Sequence, residues 1–318
     1  MVFVCFFLGS SLLLLVPWWY SIVSTYYLPV EVLNIRQSVK RDVSLVSVVK
    51  GERGLEPVFR AMKLIPFKET LEPYETVLVK PNLITGHTFE TGITTDPIVV
   101  EAVLMKIMEL DKKAIVVETE GGTTSPDEAI IETGMIEVIE RLGVEYINMG
   151  KLDDKVELEV ENHRAFEKFK VARIAVESAI ITVPSMKTLH HVTITMGLKN
   201  MFGMLTTRNK YSLHQFGTNN FVYDICKTLP PTLSVIDGFY GKSGRGPWSG
   251  TPVKMDTIIA SADAVAADAT AARCIGVDPY TVDHVRWLYE AGMGEISDIE
   301  VVGDGIDDVY QKWELDQE

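Results

Sequence analysis

From residue 43 onward, short apolar runs alternate with longer stretches in which apolar positions recur three and four apart. The runs Val43–Val49 (VSLVSVV), Thr76–Val79 (TVLV), Ala114–Val117 (AIVV), Val144–Asn148, Ala179–Val183 (AIITV), Leu233–Ile236 (LSVI) and Thr257–Ala260 (TIIA) predict strands. Most are apolar nearly throughout, the pattern of parallel strands covered on both faces. Between them, Gly54–Met62 predicts a short helix, and Pro97 opens a helix running through Met108. Ser125-Pro126-Asp127-Glu128 reads as a helix start, with Ser125 as cap and Pro126 at the first position. Ala264–Cys274 predicts an Ala-rich helix. Residues 151–170 are charged and weakly periodic, as in a surface hairpin or an inserted loop. The alternation predicts an α/β protein with a mostly parallel, helix-covered, Rossmann-like sheet. Residues 43–310 are expected to form one domain, which either stays undivided or sheds a smaller lobe near residues 185–230.

The first thirty residues differ in kind. Met1–Val30 contains no charged side chain, and about 20 apolar residues suffice to span a bilayer. Trp18, Trp19, Tyr20, Tyr26 and Tyr27 suit an interfacial belt. A cleaved signal peptide fits poorly, because no Lys or Arg precedes the apolar run. Two expectations follow: a membrane anchor, or an upstream mis-assigned start with the body beginning near Val43. In the first case Arg36, Lys40 and Arg41 would hold the body on the cytoplasmic side. In both cases the expected compartment is reducing.

Composition narrows the function classes. The chain has 318 residues, 30 Lys plus Arg against 44 Asp plus Glu, and a net charge of −14. That balance argues against a nucleic-acid partner, which demands a basic face. The three cysteines, Cys5, Cys226 and Cys274, exclude a disulfide framework and a self-contained iron–sulfur cluster, which takes about four thiolates.

In open parallel sheets, ligands collect outside the carboxyl ends of the strands. Polar groups recur there along this chain. Lys80, Pro81 and Asn82 follow the second predicted strand, and Asn82 either orients a ligand or caps the turn. Thr94-Thr95-Asp96-Pro97 supplies either a plain N-cap or an anion site in which the Thr94 and Thr95 hydroxyls join exposed helix N–H groups. Glu118 and Glu120 would point to opposite faces, so no paired-carboxylate mechanism is expected. After Ala179–Val183 come Lys187, His190 and His191. In a helix starting there they would share a face, and a lysine beside a neutral imidazole forms an acid–base pair. Lys199 and Asn200 follow, then His214 as a separate candidate. Asp237 ends the next strand and would orient a base. Lys242 and Arg245 lie among the glycines of Gly241–Gly246, read as an anion-binding loop or a plain surface loop. Asp268, among alanines, is expected to cap another element or meet a lysine. The spacing of His190, His191, His214 and Asp237 matches no standard metal signature, so no metal site is assigned.

Five segments in this order resemble the domain of unknown function 362 family: Val77–Asn82 (VLVKPN), Thr94–Pro97 (TTDP), Val183–Gly203, Val235–Gly250 and Ile258–Gly276. The resemblance covers about residues 43–305. It implies the α/β fold and a site at the strand ends, but supplies no reaction. Many relatives carry a ferredoxin-like iron–sulfur portion with clustered cysteines, which this sequence lacks.

The expected function is an enzyme-like protein binding an anionic small molecule, phosphorylated or carboxylated, in a basic crevice. Lys187, His190, His191 and Asp237 would do acid–base work. Lys80, Asn82, Thr94, Thr95, Lys199, Asn200, Lys242 and Arg245 would bind. The alternative is a non-catalytic binding or redox-partner module. The cofactor, oligomeric state and substrate identity stay open.

Overall fold

A computed structural model describes residues 43–315 apart from 122–123, 208–209, 211–212, 214–216 and 247. The apolar segment 1–30 and His214 therefore lie outside the described residues. Among the described residues, no helix is long and apolar enough to cross a membrane.

The strands are β1 (Ser44–Lys50), β2 (Thr76–Pro81), β3 (Lys113–Glu118), β4 (Glu145–Asn148), β5 (Lys155–Glu159), β6 (Lys168–Ala172), β7 (Ala179–Val183), β8 (Ser185–Leu189), β9 (Thr193–Thr195), β10 (Leu233–Ser243), β11 (Thr251–Ser261) and β12 (Ile299–Gly303). The main sheet has the order β12-β1-β11-β10-β7-β2-β3-β4, with β8 pairing β10 and β9. All neighbours along that order are parallel except β11, which runs antiparallel to both β1 and β10. Strands β5 and β6 form a separate antiparallel hairpin, the hairpin alternative expected for residues 151–170.

Apolar side chains cover both faces of the sheet, as continuous apolar strands require. One face packs against the helices Leu55–Lys63, Pro97–Met108, Pro126–Glu132 and Met135–Leu142. The other packs against Thr218–Thr228, Ala264–Cys274, Asp283–Glu290 and the β5–β6 hairpin. Ser125 caps its helix by accepting from the Asp127 N–H at 3.3 Å. Asp268 caps the short helix Gly197–Asn200, accepting from the Gly197 and Leu198 N–H groups at 2.8 and 3.0 Å.

Two local expectations are corrected. Ser185–Leu189 is a strand of the main sheet, and His190 and His191 form the turn after it. Lys187 and the histidines therefore do not share a helix face. Strand β10 continues through Asp237 and Gly238 to Ser243, so Lys242 is a strand residue and only Arg245 lies in the turn beyond. Both differences have one cause. The polar side chains of these segments find partners on distant elements, which lets backbone with polar side chains sit inside the sheet.

Candidate functional site

The carboxyl ends of β2, β3, β7 and β10 meet the start of β8, and two adjoining polar clusters form there. The first is built on Lys80, whose side chain is 1% exposed. Its ammonium pairs with Glu118 Oε2 at 2.8 Å and donates to the Pro81 carbonyl at 3.0 Å and Asn200 Oδ1 at 3.2 Å. Asn200 returns two bonds, from Nδ2 to the Lys80 carbonyl at 2.9 Å and to Thr182 Oγ1 at 2.8 Å. Glu118 Oε1 accepts from the Thr119 N–H, and Lys210 donates to the Thr119 hydroxyl. A glycine is required beside this pair: a Cβ on Gly203 would lie 2.2 Å from Lys80 Cε and 2.7 Å from Glu118 Oε1.

The second cluster is built on Lys187, 2% exposed. Its ammonium donates to Asn82 Oδ1, Ser185 Oγ and the Ile93 carbonyl, the last at 2.8 Å. Lys242, opposite Lys187 in the β8–β10 register, reaches the Thr91 carbonyl at 3.4 Å. The stretch from Thr91 to Asp96 thus lies across the strand ends. Gly92 makes that possible, with φ 68° and its ideal Cβ position only 2.1 Å from the Gly241 carbonyl oxygen. Only glycine tolerates both conditions.

The same stretch is locked to the sheet by Asp237 and Asp96. Asp237 accepts from the Asp96 N–H at 2.8 Å and the Phe239 N–H at 3.1 Å. Asp96 caps the helix Pro97–Met108 through the Ile98 N–H at 3.0 Å and takes a two-pronged contact from Arg53 at 2.6 and 2.9 Å. Arg53 in turn stacks over the Phe89 ring at 4.2 Å.

Lys80, Asn82, Lys187, Asn200, Asp237 and Lys242 thus come together at one edge, as the sequence places them. Lys199 sits beside Asn200 and is partly exposed. Thr94 and Thr95 are buried at the same edge, but their hydroxyls donate to the carbonyls of His87 and Val183 at 2.6 Å each. With the Asp96 carboxylate on the helix start, these groups hold the chain path. His190 and His191 are exposed on their turn, rings 4.7 Å apart, and His190 Nδ1 approaches the Arg245 carbonyl at 3.5 Å. They stand outside the two buried clusters. Sequence reasoning missed the pairing of Lys80 with Glu118, the arginine on Asp96, and Lys210. Only the strand-end position of Glu118 signalled its part; Arg53 and Lys210 carry no local signal.

The electrostatics follow from burial. Lys187 is held well below the ordinary lysine range, first by desolvation and then by Lys199, with Lys80 and Lys242 adding to it. Desolvation, with Lys80 adding, brings Lys199 down to about 8. Burial brings Lys210 down to about 7. Asp237 is pushed up to about 7, chiefly by burial and next by the charge of Asp96. The site can therefore offer unprotonated amines and a protonated carboxyl near neutral pH.

Metal and cluster chemistry find no matching donors among the described residues here. Among the described residues, no group of three or more His, Cys, Asp or Glu side chains is placed to hold a metal ion. Cys226 is buried with its thiol on the Leu198 carbonyl, and Cys274 is buried on another helix. With three cysteines in the whole sequence, the donor set does not fit an iron–sulfur cluster of the relatives' kind.

Residues 77–273 match the family described as Domain of unknown function (DUF362). The chain belongs to this family. The chain is similar to a thylakoid-associated protein of Synechocystis sp., sll1697, 26% identical over 219 residues, or 67% of this chain and 66% of that protein. The match spans just under two thirds of that relative's own length. Among solved structures, the lactate racemase apoprotein of Thermoanaerobacterium thermosaccharolyticum aligns with a TM-score of 0.48 and 10% identity, covering 79% of this chain and 59% of that one. No site residue of this DUF362 chain is assigned from that likeness.

Proposed function

We propose that this DUF362 protein is an enzyme-like receptor for an anionic small molecule, phosphorylated or carboxylated, at the carboxyl edge of its sheet. One observation carries the reading. Lys80, Lys187, Lys199, Lys210 and Lys242 converge there, and among the described residues only Lys80 has a carboxylate partner within ion-pair distance. Buried cations without counter-charges are costly, so such groups give up their protons or take up an anion. Lysines gathered at one edge of a chain of net charge −14 also attract small anions to one place. Asn82 adds an amide group to orient an oxygen-rich ligand, and Asn200, whose Nδ2 donates to the Lys80 carbonyl and Thr182 Oγ1, holds Lys80 in place. Acid–base work falls to Lys187 and Asp237, whose surroundings move their protonation toward neutrality, and the exposed His190, His191 and Arg245 stand at the rim.

A melting-temperature survey of the full chain tests this. Phosphate, a dicarboxylate and a phosphorylated sugar are compared with neutral analogues at constant ionic strength. We expect saturable stabilisation by at least one anion, lost in Lys242→Met. Equal response to charged and neutral compounds would overturn the reading.

For placement in the cell, we propose a cytoplasmic body held at a membrane through residues 1–30. The uncharged segment followed by Arg36, Lys40 and Arg41 supports this, as does the thylakoid association named for the relative. Fractionation checks it: the full chain should sediment with membranes and resist high salt, and a fully salt-released chain contradicts it.

A further inference from the structure

Lys199 differs from the other four lysines of the site in its bonding among the described residues. The ammonium groups of Lys80 and Lys187 are each saturated by three acceptors. Lys210 donates to Thr119, and Lys242 to the Thr91 carbonyl. Lys199 makes no hydrogen bond or ion pair among the described residues. Its Nζ stands 5.9 Å from the centroid of the Phe202 ring. It is also partly exposed, whereas the other four are buried.

The charged and titratable groups around it are unfavourable to a cation. Asn200, the next residue, is bonded to both ends of Lys80. This ties the helix Gly197–Asn200 to the ammonium that pairs with Glu118. On the other side lies His284 of the helix Asp283–Glu290, fully buried, with Nδ1 on Asn219 Oδ1 at 2.7 Å and Nε2 without a partner. His284 is driven down to about 3 by burial and by Lys199 itself, so it is neutral and offers no counter-charge. An amine desolvated by burial, beside the Lys80 ammonium and without a counter-ion among the described residues, is the arrangement that makes a lysine nucleophilic.

We propose that Lys199 is the nucleophile of this site and condenses with an anionic carbonyl compound of the 2-oxo acid class. The inference rests on the anion-binding reading above: Lys210 and Lys242, each bonded to one protein acceptor among the described residues, hold the carboxylate while the carbonyl carbon faces Lys199. The Nζ lone pair adds to that carbon and the carbonyl π pair moves to oxygen, giving a carbinolamine. Nitrogen then forms the second bond to carbon as the oxygen leaves with two protons as water. The product is an imine, and no oxidant or reductant takes part. The lowered pKa of Lys199, about 8, leaves a useful fraction of free amine near neutrality.

The test is trapping. The full chain is incubated with pyruvate, reduced with borohydride, digested and read by peptide mass spectrometry. We expect the reduced adduct on the peptide carrying Lys199, rising as pH passes through about 8, suppressed by sulfate, and lost in both Lys199→Arg and Lys199→Gln with melting temperatures retained. Adduct spread over exposed lysines, or persisting in the Lys199 variants, would overturn the proposal. Stabilisation by pyruvate without an adduct at Lys199 would overturn the imine and leave anion binding standing. An absence of stabilisation by pyruvate, sulfate and phosphate alike would overturn the anion-binding reading itself.

Discussion

Lys80 shows how closely the site is fitted at the level of single atoms. Its ammonium is desolvated, and Glu118 supplies its carboxylate at 2.8 Å. Removing one member of such a buried pair strands the other, at a cost of about 3–5 kcal/mol. Glu118→Gln should therefore lower unfolding free energy by that order in urea titrations, and a change within error would mean that the pair is solvated. Gly203 gives a second reading of the same fit. In Gly203→Ala the new methyl would stand 2.2 Å from Lys80 Cε, so the ammonium must shift or the helix turn must move. We expect a loss of about 1–3 kcal/mol, and unchanged stability would show that the lysine is free to move aside.

At the level of elements, the short helix Gly197–Asn200 presents both Lys199 and Asn200 and is too brief to stand alone. It is held by Asp268, which accepts both leading N–H groups. Asp268→Ala would orphan two buried donors and should cost about 1–3 kcal/mol. Burial raises the Asp268 carboxyl to about 7 from an ordinary 3.8, so folding favours its protonated form. The stability it contributes is complete below about pH 4 and is lost as pH rises through about 7. Relative to Asp268→Asn, the natural chain should lose stability across that window; a pH-independent difference would contradict this. Elements such as β2, β3 and β7 were legible because a strand between two helix layers is apolar on both faces. Ser125 was legible because polar side chains at helix starts have few other uses, and Asp268 because a carboxylate among buried alanines demands a partner. Strand β8 was not. Its Ser185 and Lys187 are satisfied by Ile93 and Asn82, the latter 105 positions away, and no local pattern records such a partner. The direction of β11 was equally hidden, since an apolar run reads the same in either sense.

At the scale of the whole molecule, an acidic chain turns its buried lysines toward one sheet edge, where the strand ends of a mostly parallel sheet converge. The gathering of Lys80, Lys187, Asp237 and Lys242 followed from the topology rule for parallel sheets. The closure of that edge by residues 91–96 did not, because it depends on Asp96, Arg53 and Gly92 meeting across the fold. The central claim is that these amines receive an anion, and protons report it. Lys199 and Lys210, brought down to about 8 and about 7, are partly and mostly unprotonated, respectively, at about pH 8. A bound anion raises them again, so binding must draw protons from solution. Calorimetric titration of the full chain with sulfate, which does not itself titrate there, in two buffers of different ionisation enthalpy measures this directly. The account predicts saturable binding with net proton uptake that shrinks in Lys199→Met; no binding, or binding with no proton uptake, would contradict it.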